Sequence, residues 1–419
     1  MKGKLGRGVA LVGAGACKFG AYPRQDSRDL FVEAFRELVA GVDKGFDPNE
    51  IEVLYIGNYS SDLFEHQGHL APILADWVGL TPRAALRVED ACASGGVALR
   101  QGVLAVSSGL YDVVLVGGVE KMTALPTEAV TDTLATAGDI LYEFPAGFTF
   151  PGFYAAMATA YVARYGMPYE ALMEVARKNH AHGALNDKAQ FGMTIREIMD
   201  RRIAKAREKG GPVPSWTDEL AFLRDPGANP PVAWPLRLFD CSPITDGAAA
   251  LLVVAEEVAR RFTDRPLRVL GTGQASDAAL YGRADLTSLR AAREAASQAY
   301  AMAGVEPSRI KLAEVHDCFT IAEVLAVEDL GFFPPGQGWR AARDGATHRD
   351  GTIPVNTSGG LKAKGHPVGA SGVAQVVELW KQMRGEAGPR QVNRDIDVAL
   401  AHNVGGTGQT CVVHILGRG

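Results

Sequence analysis

The chain has 419 residues and carries 43 Lys plus Arg against 48 Asp plus Glu, which gives a formal charge of −5. Its composition, 47% hydrophobic and 22% charged, excludes a disordered or low-complexity chain. No basic block stands out, so the charge gives no reason to expect a nucleic-acid partner. At roughly 150 residues per domain, this length predicts two or three structural units.

The N-terminal segment starts basic and turns apolar, as secretion signals do. Its apolar run is short, and Gly13, Gly15, Lys18 and Gly20 interrupt it, so we predict a first strand and turn there. Because no apolar run approaches about 18 residues, no membrane span is expected. The 5 cysteines are widely spaced and form no CxxC pair. This argues against a disulfide framework or a zinc cage and favours a reducing cytoplasm.

A distant internal duplication organises the chain. Short segments of similar pattern occur in the same order in both parts, and the offset between copies grows along the chain, as insertions in the second copy would produce. The paired segments are 9–15 with 267–273, 48–51 with 307–310, 90–96 with 355–360, and 112–118 with 397–403. Strand patterns alternate with Ala-rich helical patterns in each copy, including helices at about 27–41 and 287–304. We therefore predict one α/β fold built twice, with a mixed or parallel sheet and helices on its faces.

One long stretch has no counterpart in the other copy. It contains predicted helices at about 150–165, 170–184 and 195–209, followed by a Gly- and Pro-rich segment at 210–235. We interpret the stretch as an insertion that covers one face and could enclose a bulky substrate. The predicted units are an N-terminal half (1–122 plus about 236–262), an inserted loop domain (123–235) and a C-terminal half (263–419).

Cys92 lies where a strand gives way to a helix, in the segment VEDACASGG. A helix start places backbone N–H groups and the positive end of a dipole at the sulfur, which favours a thiolate. The small residues 93–96 would let a substrate approach closely. The alternative is a small buried cysteine that packs a strand–helix junction, because free Cys is among the most buried residue types.

Two histidines lie in segments that could work with this thiol. His366 lies in the glycine-dense loop GGLKAKGHPVGASG, where an imidazole could take the thiol proton or merely cap a turn. His316 begins the segment HDCF, at the end of a strand and the start of a helix. A neutral His316 could donate to a developing oxyanion, and Cys318 could shuttle a proton. For Asp317 we predict a helix N-cap.

A third segment, residues 402–408, follows the last predicted strand. It begins with His402 and is rich in glycine, which would free backbone N–H groups to point at one spot, as an oxyanion hole needs. The alternative is a glycine turn that joins two strands.

Together these segments resemble the thiolase superfamily over essentially the full length. ACASGG around Cys92 is similar to the family's nucleophile motif, and GHPVGASG around His366 is similar to its base motif. Ordinary thiolases carry Asn-Glu-Ala-Phe where this chain has HDCF, and Cys-x-Gly where it has His-Asn-Val at 402–404. Both departures are similar to sterol-carrier-protein-type thiolases and archaeal acetyl-CoA acetyltransferases.

The resemblance implies a duplicated thiolase fold, with two mixed βαβ halves in a layered α/β/α/β/α arrangement and an inserted loop domain. It implies a CoA-dependent acyltransferase that cleaves a 3-oxoacyl-CoA, or performs the reverse Claisen condensation, through an acyl group on Cys92. Coenzyme A would be a co-substrate, and neither a tightly bound cofactor nor a metal is expected.

The resemblance also assigns roles within the site. His366 would be the base, and His316 would polarise the substrate oxygen. The usual second cysteine is missing, so Cys318 would inherit the acid/base role, with His402 as an open alternative. Backbone N–H groups of Cys92 and of Val404 or Gly405 would hold the second oxyanion. The expected substrate-binding residues are Val404, Gly405, Gly406, Phe319, Asn356 and Ser358.

Other functions stay open at this point. Related thiolase-like proteins cleave aldol adducts of acyl-CoA without the nucleophile, and a non-catalytic acyl-CoA or lipid carrier is a further alternative. A dinucleotide site at Gly13 and Gly15 is less well supported, because Gly20 comes too late for the GxGxxG pattern. The resemblance implies a homodimer or dimer of dimers, and an accessory protein with a zinc ribbon and an OB fold that helps to bind CoA.

Overall fold

The computed structural model describes residues 3–418. Over this range the strands are β1 (Val9–Ala16), β2 (Val53–Gly57), β3 (Ala84–Val88), β4 (Val113–Glu120), β5 (Pro231–Ala233), β6 (Leu236–Arg237), β7 (Gly247–Ala255), β8 (Leu267–Ser276), β9 (Leu312–Glu314), β10 (Val398–Gly405) and β11 (Thr410–Arg418). The helices are α1 (Ser27–Ala40), α2 (Ser61–Phe64), α3 (Leu70–Trp77), α4 (Ser94–Ser107), α5 (Thr127–Ala135), α6 (Phe150–Tyr165), α7 (Glu170–Gly183), α8 (Ile195–Glu208), α9 (Glu219–Arg224), α10 (Arg290–Ala303), α11 (Thr320–Asp329), α12 (Gly338–Arg343), α13 (Gly360–Ala363) and α14 (Ser371–Arg384).

The main sheet repeats one strand pattern twice. Its order is β3-β2-β4-β7-β1-β8-β11-β10-β9. In the first half β2 lies parallel to β3 and β4, and β4, β7 and β1 follow as antiparallel neighbours. The second half has the same relations from β9 through β10 and β11 to β8, with Val355 bridging to Ala313 in the place of β3. This shared topology confirms the predicted duplicated α/β fold with two mixed halves.

The helices form three layers around the two halves of the sheet. Helices α4 and α14 pack against each other, and each contacts strands of both halves, so they form the central layer. Helices α1 and α3 cover the outer side of the first half, and α10 covers the outer side of the second. Gly372 permits the close approach of α4 and α14, because a Cβ there would lie 2.3 Å from the Gly96 nitrogen. The predicted α/β/α/β/α layering is confirmed.

Glycines in the equivalent strands β1 and β8 allow helices to pack closely against the sheet. A Cβ on Gly15 would lie 2.4 Å from the carbonyl oxygen of Ala34 in α1, and one on Gly273 would lie 2.0 Å from the carbonyl oxygen of Ala295 in α10. Each glycine therefore lets a helix backbone approach the sheet. This role explains the GxG pattern at the chain start without a dinucleotide.

The chain between β4 and β7 holds α5 to α9 and the β5–β6 hairpin. Helices occur at the three predicted places, as α6, α7 and α8. The Gly- and Pro-rich segment also contains the six-residue α9, which the sequence analysis missed because so short a helix shows no clear periodicity. Its Phe222 and Leu223 pack in a buried cluster with Met173 and Met199. Within residues 3–418, every helix is too short or too polar to traverse a lipid bilayer.

Candidate active site

A cavity of about 140 Å³ contains several of the predicted site residues. Cys92 from the first half and Cys318 and His366 from the second half line it, together with Phe319 and Gly406. The other lining residues are mostly apolar: Met122, Thr131, Leu134, Phe150, Pro151, Cys241, Ser242, Pro243, Ile244 and Val368. Both copies of the fold and the stretch between β4 and β7 therefore contribute to one site.

Cys92 lies in the short loop between β3 and α4. Ala91 just before it has a positive φ of 48°, and the Ser94 hydroxyl oxygen accepts the Asp90 N–H at 2.8 Å, so the loop is tightly turned. Burial, with the charge of Glu120, raises the pKa of the Cys92 thiol to about 12. Backbone N–H groups, one from Gly406, lower the pKa but do not outweigh burial. The prediction that the helix start keeps this sulfur ionised is therefore wrong for the ligand-free protein.

Cys92, His316 and His366 converge beside the cavity, of which Cys92 and His366 are lining residues and His316 is not. Their sulfur and imidazole nitrogen ligand atoms all lie within 4.8 Å of one another. The two imidazole ring centres are 5.1 Å apart, and the ring planes are nearly perpendicular at 85°. A thiol from the first copy thus lies beside imidazoles from the second copy, within the distance that proton transfer requires after a small adjustment.

His366 lies in the loop between α13 and α14. Its main-chain N–H donates to Thr245 Oγ1 at 3.0 Å, and its Nδ1 lies 2.7 Å from Ser371 Oγ. The Ser371 hydroxyl donates to the Pro367 carbonyl at 2.9 Å, so its oxygen can accept the Nδ1 proton. Burial lowers the pKa of His366 to about 3, and its Nε2 has no hydrogen-bond partner within residues 3–418. A neutral His366 can therefore present a free lone pair to a thiol.

Cys318 precedes α11 and is buried. Burial raises the pKa of its thiol well above the usual range, and the nearby Cys92 acts in the same direction. The Tyr154 ring stacks on Phe319 at 4.7 Å, and its hydroxyl donates to the Gly406 carbonyl at 3.3 Å beside the Cys318 thiol. Cys318 is thus a neutral thiol on the same cavity as Cys92.

His402 does not line the cavity. Successive residues of a strand point to opposite faces, so His402 and its neighbour Asn403 face opposite sides of β10. Asn403 faces the loop of Cys92, and its Nδ2 donates to the Cys92 carbonyl at 3.0 Å. Burial and the neighbouring His366 and His402 rings lower the pKa of His316, and burial lowers the pKa of His402 to about 4. In the described part of the chain neither ring nitrogen has a hydrogen-bond partner.

The glycines after β10 differ in position. Gly406 lines the cavity with a φ of +60°. Gly405 lies behind it, where a Cβ would be 2.5 Å from the Asp90 carbonyl oxygen, so this glycine lets the strand end approach the Cys92 loop. Val404 packs in the hydrophobic core of the second half. Of these three predicted substrate-binding residues, only Gly406 reaches the cavity.

Asn356 and Ser358 lie in a buried polar network instead of on the cavity. Asn356 Oδ1 accepts the Val315 N–H at 2.8 Å, and the Ser358 hydroxyl donates to Glu314 at 2.5 Å. These bonds hold the loop that follows Val355 against the HDCF segment, so both polar groups are already used. The structure gives them a supporting position rather than contact with a ligand.

Asp317 belongs to the same network and does not cap α11. Its carboxylate accepts the Leu361 N–H at 2.6 Å and the Asn179 amide at 2.7 Å. The N-cap of α11 is Phe319, without a side-chain cap hydrogen bond. The predicted N-cap is therefore wrong, because the carboxylate turns toward α13 and helps to place the loop that carries His366.

Several residues of the site were not predicted from the sequence. Asn403 and Ser371 lie inside motifs that were recognised, but hydrogen bonds to histidines cannot be inferred from spacing alone. Cys241 lines the cavity although it stands far from the other cysteines in the chain. The lining residues from α5 and α6 were not singled out, although the predicted insertion that contains them was expected to enclose a substrate, because only packing shows which of its side chains reach the thiol.

The Cys92, His316 and His366 cluster also has the residue types of a soft-metal site. Two features oppose metal binding. Asn403 Nδ2 donates to Nδ1 of His316 at 3.0 Å, so the neutral ring carries its proton on Nε2, the nitrogen that a metal would need, and burial raises the pKa of the Cys92 thiol to about 12. The cluster is better suited to moving a proton than to holding an ion.

Comparisons with known proteins agree with this geometry. The family model described as "Thiolase, N-terminal domain" matches residues 9–257, and "Thiolase C-terminal domain-like" matches residues 273–418. The chain is 45% identical over 417 residues to an acetyl-CoA acetyltransferase of Methanothermobacter thermautotrophicus, covering 98% of this chain and all (100%) of the relative. It is 31% identical to the benzoylsuccinyl-CoA thiolase subunit BbsB of Thauera aromatica, over 96% of each chain.

Two solved structures extend the comparison. The Ltp2-ChsH2(DUF35) aldolase has a TM-score of 0.77 at 25% identity, with 98% of each chain covered. Human mitochondrial 3-ketoacyl-CoA thiolase in complex with CoA has a TM-score of 0.67 at 19% identity, with 99% of each chain covered, which shows a shared fold. With both family models matched along nearly its whole length, the chain belongs to the thiolase family.

Proposed function

We propose that the protein is a CoA-dependent acyltransferase that cleaves a 3-oxoacyl-CoA with a second CoA, or runs the reverse Claisen condensation. The observation that carries this proposal is the Cys92 sulfur within 4.8 Å of an imidazole nitrogen of His366 at the wall of a mostly apolar cavity. A nucleophilic thiol paired with a base splits a difficult acyl transfer into two easier steps through a thioester. Two relatives named acetyl-CoA acetyltransferase, at 45% and 40% identity, support the same reaction.

In the first step His366 Nε2 takes the Cys92 proton while the sulfur attacks the keto carbon of the substrate. The Cα–Cβ bond then breaks, and its electron pair leaves as the enolate of an acyl-CoA. Cys318 protonates that enolate and becomes a thiolate. Because burial raises the pKa of the Cys92 thiol to about 12, proton transfer must accompany the attack rather than precede it.

In the second step a CoA thiol gives its proton to the Cys318 thiolate and attacks the acyl group on Cys92. The Cys92 sulfur leaves and recovers the proton that His366 holds, so every group returns to its starting state. Backbone N–H groups near the sulfur, including that of Gly406, stabilise the oxyanion formed during this attack. The mostly apolar lining of the cavity strengthens these interactions because it lowers the local dielectric constant.

The direct test is to trap the thioester. The protein mixed with acetyl-CoA in the absence of a second substrate should carry one acetyl group, and peptide mass spectrometry should locate that group on Cys92. The Cys17→Ala variant, which removes a buried thiol outside the cavity, should acetylate normally. Turnover of 3-oxoacyl-CoA without any acetyl group on Cys92 would contradict the mechanism.

We assign the second acid/base role to Cys318 rather than His402, because only Cys318 shares the cavity with Cys92. Exchange of the acetyl-CoA α-hydrogens with D2O isolates this role, since it needs the acid/base but no bond cleavage. Cys318→Ala should lower the exchange rate by about 10²-fold. His402→Gln should change it only a few-fold, and the opposite ranking of the two variants would transfer the role to His402.

An aldolase is the second candidate, because the Ltp2-ChsH2(DUF35) aldolase shares the fold over 98% of each chain. Such an enzyme needs no nucleophile, so alkylating Cys92 with iodoacetamide separates the two functions. A thiol is neutral below its pKa and reactive above it, and the Cys92 pKa is about 12. Alkylation should therefore accelerate about tenfold per pH unit from neutral to alkaline pH, with parallel loss of thiolysis. Full cleavage of a 3-hydroxyacyl-CoA by the alkylated protein would favour the aldolase.

We also propose a homodimer formed through β3. Among the described residues this strand ends the sheet with an unpaired outer edge, and its Leu86 is 48% exposed, whereas Val355 in the equivalent place of the second half is buried. An exposed apolar edge strand readily pairs with another strand. Sedimentation should give a dimer that Leu86→Lys weakens. A wild-type monomer would refute the proposal.

An accessory protein is the last part of the proposal. The similar aldolase is described together with a DUF35 protein, and this supports a partner that helps to bind CoA here. Adding a purified DUF35 protein should lower the KM for CoA and form a complex on a sizing column. An unchanged KM and no complex would remove the partner from the proposal.

A further inference from the structure

The Asn403 side chain is wedged between the starts of the two central helices. A Cβ on Gly372, near the start of α14, would lie 2.2 Å from Asn403 Oδ1, and one on Gly96, near the start of α4, would lie 2.9 Å from the same atom. Asn403 is buried at 2% exposure. The amide fits there because Gly96 and Gly372 have no side chains that would occupy the same space. Its position is therefore closely defined.

Backbone groups determine which way this amide points. The Gly96 N–H, which can only donate, lies 3.1 Å from Asn403 Oδ1. The Cys92 carbonyl, which can only accept, lies 3.0 Å from Asn403 Nδ2. Exchanging the amide oxygen and nitrogen would place the amide N–H against the Gly96 N–H and the amide oxygen against the Cys92 carbonyl oxygen. Neither pair can form a hydrogen bond, so the observed orientation is the stable one.

The orientation of the amide decides the protonation pattern of His316. Asn403 Nδ2 has a second hydrogen, and Nδ1 of His316 lies 3.0 Å from that nitrogen. Since Nδ2 can only donate, Nδ1 must accept, and a neutral imidazole then carries its proton on Nε2. Within residues 3–418 this buried Nε2 has no hydrogen-bond partner. An unpaired buried N–H is costly, and a substrate oxygen bound next to the Cys92 sulfur would satisfy it.

We infer that Asn403 is a positioning residue, which holds His316 as the Nε2–H tautomer so that it donates to the substrate oxygen. The inference rests on the proposed function for its catalytic meaning. Neighbouring His366 takes the opposite tautomer, because its Nδ1 proton can go to Ser371 and its Nε2 must accept the Cys92 proton. One histidine is thus a donor and the other an acceptor, although both are neutral and buried in the same site.

The test reads the tautomers directly. Nitrogen-15 NMR of the full-length protein, with signals assigned by His316→Gln and His366→Gln, should show His316 protonated on Nε2 and bare on Nδ1. In Asn403→Asp the amide donor becomes an acceptor, so Nδ1 of His316 should become protonated. The kcat for thiolysis should fall about 10²-fold, as when an oxyanion donor is lost, while the KM for CoA stays within about twofold. Asn403→Leu, which leaves Nδ1 without a donor, should give mixed tautomers and an intermediate kcat.

A matched control separates positioning from damage to the fold. Asn229 is also fully buried, and its amide donates to the Leu223 carbonyl at 2.9 Å and accepts the Phe239 N–H at 2.9 Å, away from the cavity lining. Asn229→Asp should leave the His316 tautomer and kcat unchanged. A wild-type His316 protonated on Nδ1, or an Asn403→Asp variant with unchanged tautomer and kcat, would overturn the inference. The expected tautomers in a protein without thiolysis would overturn the proposed function alone.

Discussion

Cys92→Ala should lower thiolysis by about 10⁴-fold or more and abolish acyl-enzyme formation, because the Cys92 sulfur, beside the His366 base, carries the acyl group between the two steps. Binding of CoA should persist, since the cavity and its backbone N–H donors stay in place. Removing one sulfur atom next to a cavity should cost only about 1 kcal/mol of stability. Thiolysis rates, CoA titration and thermal unfolding measure the three effects.

The same measurements on Cys17→Ala provide the control. Cys17 is buried like Cys92, and burial likewise raises its thiol pKa to about 12, but it lies outside the catalytic cavity. Its removal should leave thiolysis within about twofold of wild type. Near-normal thiolysis in Cys92→Ala would rule out the covalent mechanism.

His366→Gln should lower thiolysis by about 10³-fold at neutral pH, because the Cys92 thiol then has no base. The pH profile should also change in shape. In the wild type, burial lowers the pKa of His366 to about 3, so the imidazole is neutral and able to accept a proton at every pH above that value. We therefore expect no loss of the base function on the acid side until the pH approaches about 3.

In His366→Gln the thiol must ionise by itself. Its pKa is about 12, so the thiolate fraction, and with it the residual rate, should rise about tenfold per pH unit through the alkaline range. His180→Gln is the matched control, because His180 is a buried neutral histidine that packs against Phe191 and Phe239 outside the cavity lining. It should keep the wild-type profile. A flat residual rate in His366→Gln would assign the base role elsewhere.

Cys92, His366 and the polar residues around them show which parts of a site a sequence can indicate. Cys92 and His366 are 274 positions apart, yet each was recognised because a nucleophile and a base need small, turning residues around them, and these leave a local pattern. Asn356, Ser358 and Asp317 have equally suggestive surroundings, but their side chains support the loops instead. Polar residues that bind a ligand and polar residues that hold a loop look alike in a sequence, since both need partners only folding supplies.

By itself, the sequence determined that this chain is a mixed α/β fold built twice, because strand and helix periodicity and the order of the repeated segments are local properties. Its resemblance to the thiolase motifs also predicted which thiol and which imidazole would serve the chemistry. Only the tertiary structure decided that Cys92 is a buried thiol rather than a thiolate, and that Cys318 rather than His402 reaches the cavity. Burial and the face of β10 on which a side chain lies depend on how distant segments pack, and no local pattern encodes that packing.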